Sequence, residues 1–159
     1  MPQTTFYVKR RRGTIDAVLT VQRVEDDGTL IKVFDKLPVR SGQYPFVHGG
    51  GEDWVRGKGP TPIGTWLLST QREALQFQPV GTPFYCLSTN PGERIMHGPN
   101  GAIRENAGLH LDNRFPGTIG CTAFVVDTTA QEAQAYEVFE YLDALRAAGI
   151  PCVRYKVFF

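Results

Sequence analysis

Only one stretch of this 159-residue chain has the period of a helix. Apolar residues recur at steps of three and four over residues 135–148, which places them on one face of a helix. Thr129 and Glu132 fit a capping box, in which two residues satisfy each other's N–H groups at a helix start. Gly149 and Pro151 are suited to end the helix. The pattern therefore predicts one amphipathic helix close to the C-terminal end of the chain.

Most of the remaining chain consists of short apolar runs separated by turn residues. The 17 glycines and 11 prolines favour many turns. Asp27-Gly28 is a strong hairpin signal between strands predicted over 15–24 and 30–34. Further strands are predicted over residues 6–8, 37–39, 64–70, 84–88, 94–97, 107–111, 121–126 and 152–159. We therefore expect an α+β fold, mostly antiparallel β with one amphipathic C-terminal helix, in a single domain over residues 1–159.

Composition excludes several classes of protein. A chain of 159 residues is about one domain long and can bury a core without disulfides. The formal net charge of +1 argues against a dedicated nucleic-acid binder. Three cysteines are too few for a disulfide scaffold. With no apolar run of about 18 residues and no visible signal peptide, we expect synthesis in the cytoplasm and no membrane partner.

His110 and Cys121 are the residues whose types and spacing point to chemistry. Turn residues lie between them and a predicted strand lies on each side, so we expect both side chains at the same end of a sheet. An imidazole close to a thiol favours the thiolate, which is the nucleophile. Gly120 would let a substrate backbone approach closely. The alternative is a buried cysteine without chemistry, which is our interpretation of Cys86 and Cys152.

Residues 41–62 are predicted to form a long loop rich in glycine and proline. Loops longer than about 12–15 residues are often lids or binding loops. We predict that this loop closes over the site, although a plain surface loop would have a similar composition. Its candidate contacts are two apolar walls, Trp54 and Tyr44, and cations that meet carboxylates, Arg56, Lys58 or Arg114.

Three segments in order resemble the catalytic domain of the L,D-transpeptidase family, cysteine enzymes that cross-link or trim bacterial peptidoglycan. Residues 38–42 (PVRSG) are similar to a strand-end segment of the family, and residues 59–66 (GPTPIGTW) to its T-P-x-G-x-F/W turn. Residues 108–122 (GLHLDNRFPGTIGCT) are similar to its catalytic segment. The short G-x-H…G-x-x-G-C form resembles a divergent branch that includes secreted effectors and phage-borne proteins. The resemblance covers roughly residues 15–158 and implies a sandwich-like β-fold.

The resemblance also implies roles for individual residues. Cys121 would be the nucleophile and His110 its base. Thr118 and Gly120 match the motif that precedes the nucleophile, and backbone N–H groups near Gly120 and Cys121 would stabilise an oxyanion. His97 is the competing candidate for the base.

Four residues are candidates for contact with the substrate. If His110 is the base, His97 is expected to face the substrate or to be a structural histidine. Asp112 lies two residues after His110, on the same face of an extended strand, where it could steer substrate or cap its own turn. Arg114 and Trp54 complete the set.

The resulting hypothesis is acyl transfer on peptidoglycan stem peptides through a Cys121 thioacyl-enzyme. The reaction would be L,D-transpeptidation, D-amino-acid exchange or L,D-carboxypeptidation, without a metal or cofactor. We expect stem peptides as partners, with an immunity or delivery protein left open, and action in the periplasm or cell wall after export or lysis. One alternative is a zinc site from Cys86, His97, His110 and Cys121. Another is a non-catalytic binding or phage structural module that keeps the fold.

Overall fold

The computed structural model describes residues 2–42, 47–51, 53–54, 59–74, 82–112 and 118–159. Its strands in chain order are β1 (Gln3–Arg10), β2 (Asp16–Val24), β3 (Leu30–Gly42), β4 (Gly64–Ser69), β5 (Glu73–Ala74), β6 (Pro83–Ser88), β7 (Ile95–His97), β8 (Ile103–Glu105), β9 (Gly108–Leu111), β10 (Thr118–Phe124) and β11 (Cys152–Phe158). The helix α1 spans Thr129–Ala147, and a 3₁₀ turn, Pro99–Gly101, joins β7 to β8.

Eight of these strands close into a barrel. Their order around the wall is β4-β11-β1-β2-β3-β10-β9-β6, and β6 pairs with β4 to complete the circle. β5 pairs with β6, while β7 and β8 form a separate two-stranded sheet. The prediction of a mostly β fold with one C-terminal helix is confirmed. The strands form a barrel in place of the expected sandwich. In a sandwich of two open sheets β4 and β6 would be unpaired edge strands, whereas here backbone hydrogen bonds join them.

One long strand replaces two that were predicted separately. Residues 30–34 and 37–39 both belong to β3, which has 13 residues. Between them Lys36 has a positive φ of 54°, and the pairing of β3 with β2 is irregular at this point. A bulge bends a strand without ending it. The break in the apolar pattern therefore marks a bulge and not a second turn.

Large side chains fill the interior of the barrel. Phe6, Leu68, Tyr85, Phe124 and Tyr155 are each no more than 2% exposed. An eight-stranded barrel is just wide enough for side chains to fill it. A site that admits a peptide must then lie on the outer wall or at an end.

The helix closes one end of the barrel. Its buried residues are Ala135, Val138, Phe139 and Leu142. The ring of Phe139 packs against the rings of Tyr85 and Phe124, with centroids 5.4 and 5.5 Å apart. The apolar face predicted from the sequence is therefore the face that packs on the core.

The capping box of α1 lies one residue earlier than predicted. Thr128 Oγ1 accepts a hydrogen bond from the backbone N–H of Gln131, and Gln131 Oε1 accepts one from the N–H of Thr128, each at 3.1 Å. Threonine and glutamine satisfy the same rule as threonine and glutamate, so the sequence permits either register. The predicted stop is confirmed, since Gly149 has a φ of +86° directly after the helix.

A polar cap closes the other end. We give this name to Arg10, Ser41, His48, Asp53, Thr61 and Thr122. Arg10 makes two hydrogen bonds to the carboxylate of Asp53, at 2.7 and 2.9 Å. The backbone N–H of His48 donates to Thr14 O at 2.9 Å. The described parts of the 41–62 loop that hold His48, Asp53 and Thr61 thus fasten to the end of the barrel. No helix among the described residues is long and apolar enough to span a membrane.

Candidate active site

Cys121 and His110 lie on the same outer face of two neighbouring strands. β9 and β10 pair in parallel, and His110 is opposite Ala123, two residues after Cys121. Residues two apart in a strand point to the same face. Cys121 and His110 are therefore diagonal neighbours on two strands that lie about 4.8 Å apart, and Cys121 packs with Phe84 and Cys86 on that face. The alternate residues Leu109 and Thr122 are fully buried on the barrel side.

Cys121 lies in a bulge of β10. This strand pairs with β3 at Thr118–Gly42 and next at Thr122–Ser41, so residues 119–121 have no partner on β3. A bulge re-aims the local side chains and frees backbone groups from one ladder. The predicted motif residues Thr118 and Gly120 belong to this strand. The candidate nucleophile therefore lies at one of the irregular points of the sheet.

The three segments that resemble the transpeptidase family meet behind Cys121. Ser41 Oγ donates to the carbonyl oxygen of Cys121 at 2.8 Å. The backbone N–H of Thr61 donates to Ser41 Oγ at 2.6 Å, and Thr61 Oγ1 lies 3.0 Å from Thr122 Oγ1. All three hydroxyl side chains are fully buried. These hydrogen bonds connect residues 38–42, 59–66 and 108–122 and hold the bulge from the inside.

The Cys121 thiol is buried between strands. The residue is 8% exposed and packs in a small cluster with Phe84 and Cys86. Its Sγ lies 3.9 Å from the carbonyl oxygen of Asn106, to which a thiol can donate weakly. Asn106 has a φ of +54°, a conformation that asparagine tolerates better than most residues. This contact orients the Cys121 side chain toward Asn106.

His110 is held in the tautomer that a general base requires. Its Nδ1 lies 2.6 Å from the carbonyl oxygen of Leu111. A carbonyl oxygen only accepts, so Nδ1 carries the proton and Nε2 carries the lone pair. Burial lowers the pKa of His110, while the hydrogen bond to Leu111 and the charge of Asp112 act in the opposite direction. The imidazole is therefore neutral at neutral pH and able to take a proton.

Gly108 leaves the space in which an aromatic ring supports His110. The ring of Phe84 stacks beside the imidazole, with centroids 6.2 Å apart and planes inclined by 29°. A Cβ on Gly108 would lie 2.5 Å from Cζ of Phe84. Because that distance is shorter than any ordinary contact, only glycine allows the ring to lie across β9.

Arg104 is a residue near the site that the sequence reasoning missed. It is 4% exposed, and its Nε donates to the carbonyl oxygen of Asp53 at 2.9 Å. Burial lowers the pKa of Arg104, and the charges of Asp53 and Cys121 raise it. Because Coulomb attraction is mutual, the buried guanidinium favours a Cys121 thiolate. The alternation of β8 is a weak signal for this residue, because Arg104 takes the buried position while Ile103 is exposed.

Asp112 forms an ion pair at the end of β9. Its Oδ2 lies 3.2 Å from Nη1 of Arg40, and the side chain is 3% exposed. Arg40 is also close to Asp16 and Asp127. The charge of Asp112 raises the pKa of the His110 imidazole. This effect fits the position beside His110 that was predicted for Asp112. The geometry fits an electrostatic support for His110 better than a direct contact with substrate.

His97, the other candidate for the base, has contacts away from Cys121. Its Nε2 lies 3.4 Å from a carboxylate oxygen of Glu93, and its backbone N–H donates to the Thr89 hydroxyl at 2.7 Å. It pairs with Ile103, at the opposite end of the β7–β8 hairpin from Asn106. Of the two candidates, the structure brings His110 to the face of Cys121.

The remaining predicted contacts are placed only in part. Trp54 packs edge-on against Trp66, with ring centroids 5.7 Å apart, and covers Gly98. It is thus a core-packing residue at the rim of the barrel. Arg114, Tyr44, Arg56 and Lys58 lie outside the described residues, and closure of the 41–62 loop over the site stays a prediction.

A cavity of about 470 Å³ adjoins the site through Cys86. Arg94 and Glu73 line it and form an ion pair at 2.5 Å. Arg94 Nε also donates a hydrogen bond to the side chain of Asn106 at 2.9 Å, the residue whose carbonyl faces Cys121.

Within the described ranges, no three His, Cys, Asp or Glu side chains are grouped to hold a metal ion. Cys86, His97, His110 and Cys121, the residues of the alternative zinc site, therefore form no such group in the part of the chain that the structure describes.

Comparison of the chain with protein-family models, curated proteins and solved structures finds no match.

Proposed function

We propose that this chain is a divergent L,D-transpeptidase-like cysteine acyltransferase that acts on peptidoglycan stem peptides. One observation carries the proposal: Cys121 in the β10 bulge shares an outer face with His110, whose lone pair is on Nε2. A cysteine and a neutral imidazole on one face are the minimum for thiolate catalysis. The meeting of the three family-like segments behind Cys121 supports the same assignment.

The proposed reaction begins with proton transfer from Cys121 Sγ to His110 Nε2. The thiolate attacks the carbonyl carbon of an L-residue that precedes a D-residue. The C–N bond then breaks, the leaving amine takes the proton from His110, and a thioester remains on Cys121. An acceptor amine or water attacks the thioester, gives its proton to His110, and releases the product as Cys121 regains its proton. Arg104 favours the thiolate, and backbone N–H groups at Gly120 and Cys121 would stabilise the oxyanion.

The cavity beside Cys86 offers space for the bound peptide. Two inter-strand steps of about 4.8 Å separate β6 from β10, so a peptide anchored in the cavity could reach Cys121 by passing over the Phe84 ring, which covers Gly108. Arg94, Arg146 and Glu73 line the cavity and offer partners for both the carboxylate and the amine of a peptide.

The decisive experiment is turnover of a purified stem tetrapeptide and of sacculi by Cys121→Ala, read as products by mass spectrometry. We expect loss of turnover with normal thermal unfolding. Cys86→Ala is the matched control, because Cys86 lies in the same cluster and lines the cavity but takes no part in the proposed acyl transfer. Turnover that survives in Cys121→Ala, or falls equally in both variants, contradicts the proposal.

A non-catalytic module is the second candidate, favoured by the burial of Cys121. At 8% exposure and in contact with Phe84 and Cys86, the residue also fits an inert core cysteine. The two functions differ in the reactivity of this thiol. Slow alkylation of Cys121, equal to that of Cys86, would favour the module.

A further inference from the structure

The four lysines within the described residues lie on one side of the barrel. The chain has five lysines, and the four within the described residues are Lys9, Lys32, Lys36 and Lys156. Lys156 is exposed between buried Tyr155 and Val157, so it points outward from β11. The other three line an outward-facing groove on β1, β2 and β3. Lys32 Nζ lies 3.8 Å from Asp35 Oδ1. Closer ion pairs with carboxylates are formed by five arginines, Arg10, Arg23, Arg40, Arg72 and Arg94.

The groove has a volume of about 390 Å³ and a mixed lining. Lys9, Lys32 and Lys36 are its cations, and Asp35 is the one acidic residue among the lining residues described. Two aromatic residues, Tyr7 and Phe158, form part of its surface, with ring centroids 6.4 Å apart in an edge-on contact. Hydrogen-bonding side chains come from Thr20 and Gln22.

The lysine wall lies on a different part of the outer surface from Cys121. We use the term lysine wall for the four lysines together with Tyr7 and Phe158. Lys9 and Lys156 lie on β1 and β11, and Lys32 and Lys36 lie on the part of β3 that pairs with β2. Cys121 lies on β10, which pairs with β3 at residues 39–42. A ligand on this wall would leave the candidate active site uncovered.

We propose that the lysine wall binds an anionic polysaccharide. Lysine is a compact, strongly hydrated charge that suits dispersed carboxylate or sulfate groups without a fixed fork geometry. The rings of Tyr7 and Phe158 can pack on the C–H faces of sugars, and Thr20 and Gln22 can bond their hydroxyl groups. The formal net charge of +1 argues against the strongly basic surface of a nucleic-acid binder. This inference is independent of the proposed reaction.

The test is binding of polygalacturonate to the full chain, measured by calorimetry at low and moderate salt. Lys9→Gln/Lys36→Gln is expected to weaken binding about 10-fold and to flatten its salt dependence, because fewer counterions are released. Tyr7→Ala is expected to weaken binding without changing the salt dependence, because it removes no charge. Arg11→Gln/Arg146→Gln is the matched control, which removes the same charge from exposed positions off the wall and leaves binding within about 2-fold.

Three results would overturn the inference. The first is absence of binding by the unaltered protein at low salt. The second is an equal loss in the lysine and arginine double variants, which would show that only net charge matters. The third is tighter binding of an oligothymidylate of equal charge than of polygalacturonate, which would make the wall a nucleic-acid surface.

Discussion

At the scale of single residues, two cysteines on one face of the barrel differ in the charges around them. Burial raises the pKa of Cys86 to about 11, and the nearby charge of Arg94 lowers it only in part. Cys121 lies close to the buried guanidinium of Arg104 and on the face of His110. Two thiols in the same small cluster can therefore have different reactivity, because thiolate fraction depends on local charge.

This difference predicts the order of alkylation at pH 7. Cys121 should react with iodoacetamide faster than Cys86, which is ionised to about one part in ten thousand if its pKa is about 11. It should also react faster than Cys152, as expected of a nucleophile. Peptide mapping by mass spectrometry gives all three rates in one sample. In His110→Ala the Cys121 rate should fall toward that of Cys86, and an unchanged rate would remove His110 from its assigned role.

At the scale of elements, the site depends on how β6 and β9 pack. Phe84 is opposite His110 and Cys86 is opposite Gly108 in the antiparallel pairing of these strands. The ring of Phe84 crosses Gly108 to reach the imidazole, and a side chain at that position would also meet the Tyr85 carbonyl oxygen. A backbone oxygen cannot move aside as a flexible side chain can.

Gly108→Ala should therefore damage both stability and the site. Overpacking of this kind costs about 1–3 kcal/mol of unfolding free energy, measurable by urea denaturation. Gly98→Ala is the matched control, because its Cβ would lie 2.6 Å from the Trp54 ring, away from His110. Both variants should lose stability, whereas only Gly108→Ala should change the pH dependence of Cys121 alkylation. If Gly98→Ala shifts that profile equally, Phe84 does not position His110.

At the scale of the whole molecule, the two ends of the barrel are closed by different kinds of side chain. Apolar side chains of α1 fill one end, and hydrogen-bonded groups of the polar cap fill the other. His48 is 0% exposed in this cap, and its Nδ1 lies 3.3 Å from the Arg11 carbonyl oxygen. Burial, and then the charge of Arg10, lower the pKa of His48 to about 4 from 6.5, against smaller opposing effects of the hydrogen bond to the Arg11 backbone and of the Asp53 charge.

The polar cap should make stability depend on pH. Below pH 6.5 the unfolded chain takes up a proton at His48, while the folded chain resists it until about pH 4. Stability is thus fully present above pH 6.5 and falls as the pH drops, by about 3 kcal/mol from this group near pH 4. Urea unfolding of His48→Gln should lose this part of the pH dependence, whereas exposed His97→Gln should retain it. Identical pH profiles for His48→Gln and the unaltered protein would contradict the assignment.

Much of the secondary structure could be predicted because its causes are local. The apolar period and the stop at Gly149 predict α1, and Asp27-Gly28 predicts the β2–β3 hairpin; each depends on residues a few positions apart. The one-residue error at Thr128 arises because two adjacent threonines both fit the capping rule. Cys121 and His110 could be singled out for the same reason, since a turn between two strands is a local pattern.

The tertiary structure alone decided which strands meet. Strand propensity does not indicate which other strand a segment will pair with. The β4–β6 pairing that closes the barrel and the parallel β9–β10 pairing were therefore not predictable from the local sequence pattern. Burial of Arg104 depends likewise on distant segments, because its strand β8 belongs to a separate hairpin and its Nε donates to the carbonyl oxygen of Asp53, whereas a charged residue in a short strand is ordinarily exposed. The sequence by itself determined one helix, many short strands and a cysteine–histidine pair. Non-local hydrogen bonds, which form only when distant segments come together, determined the barrel and the face on which that pair lies.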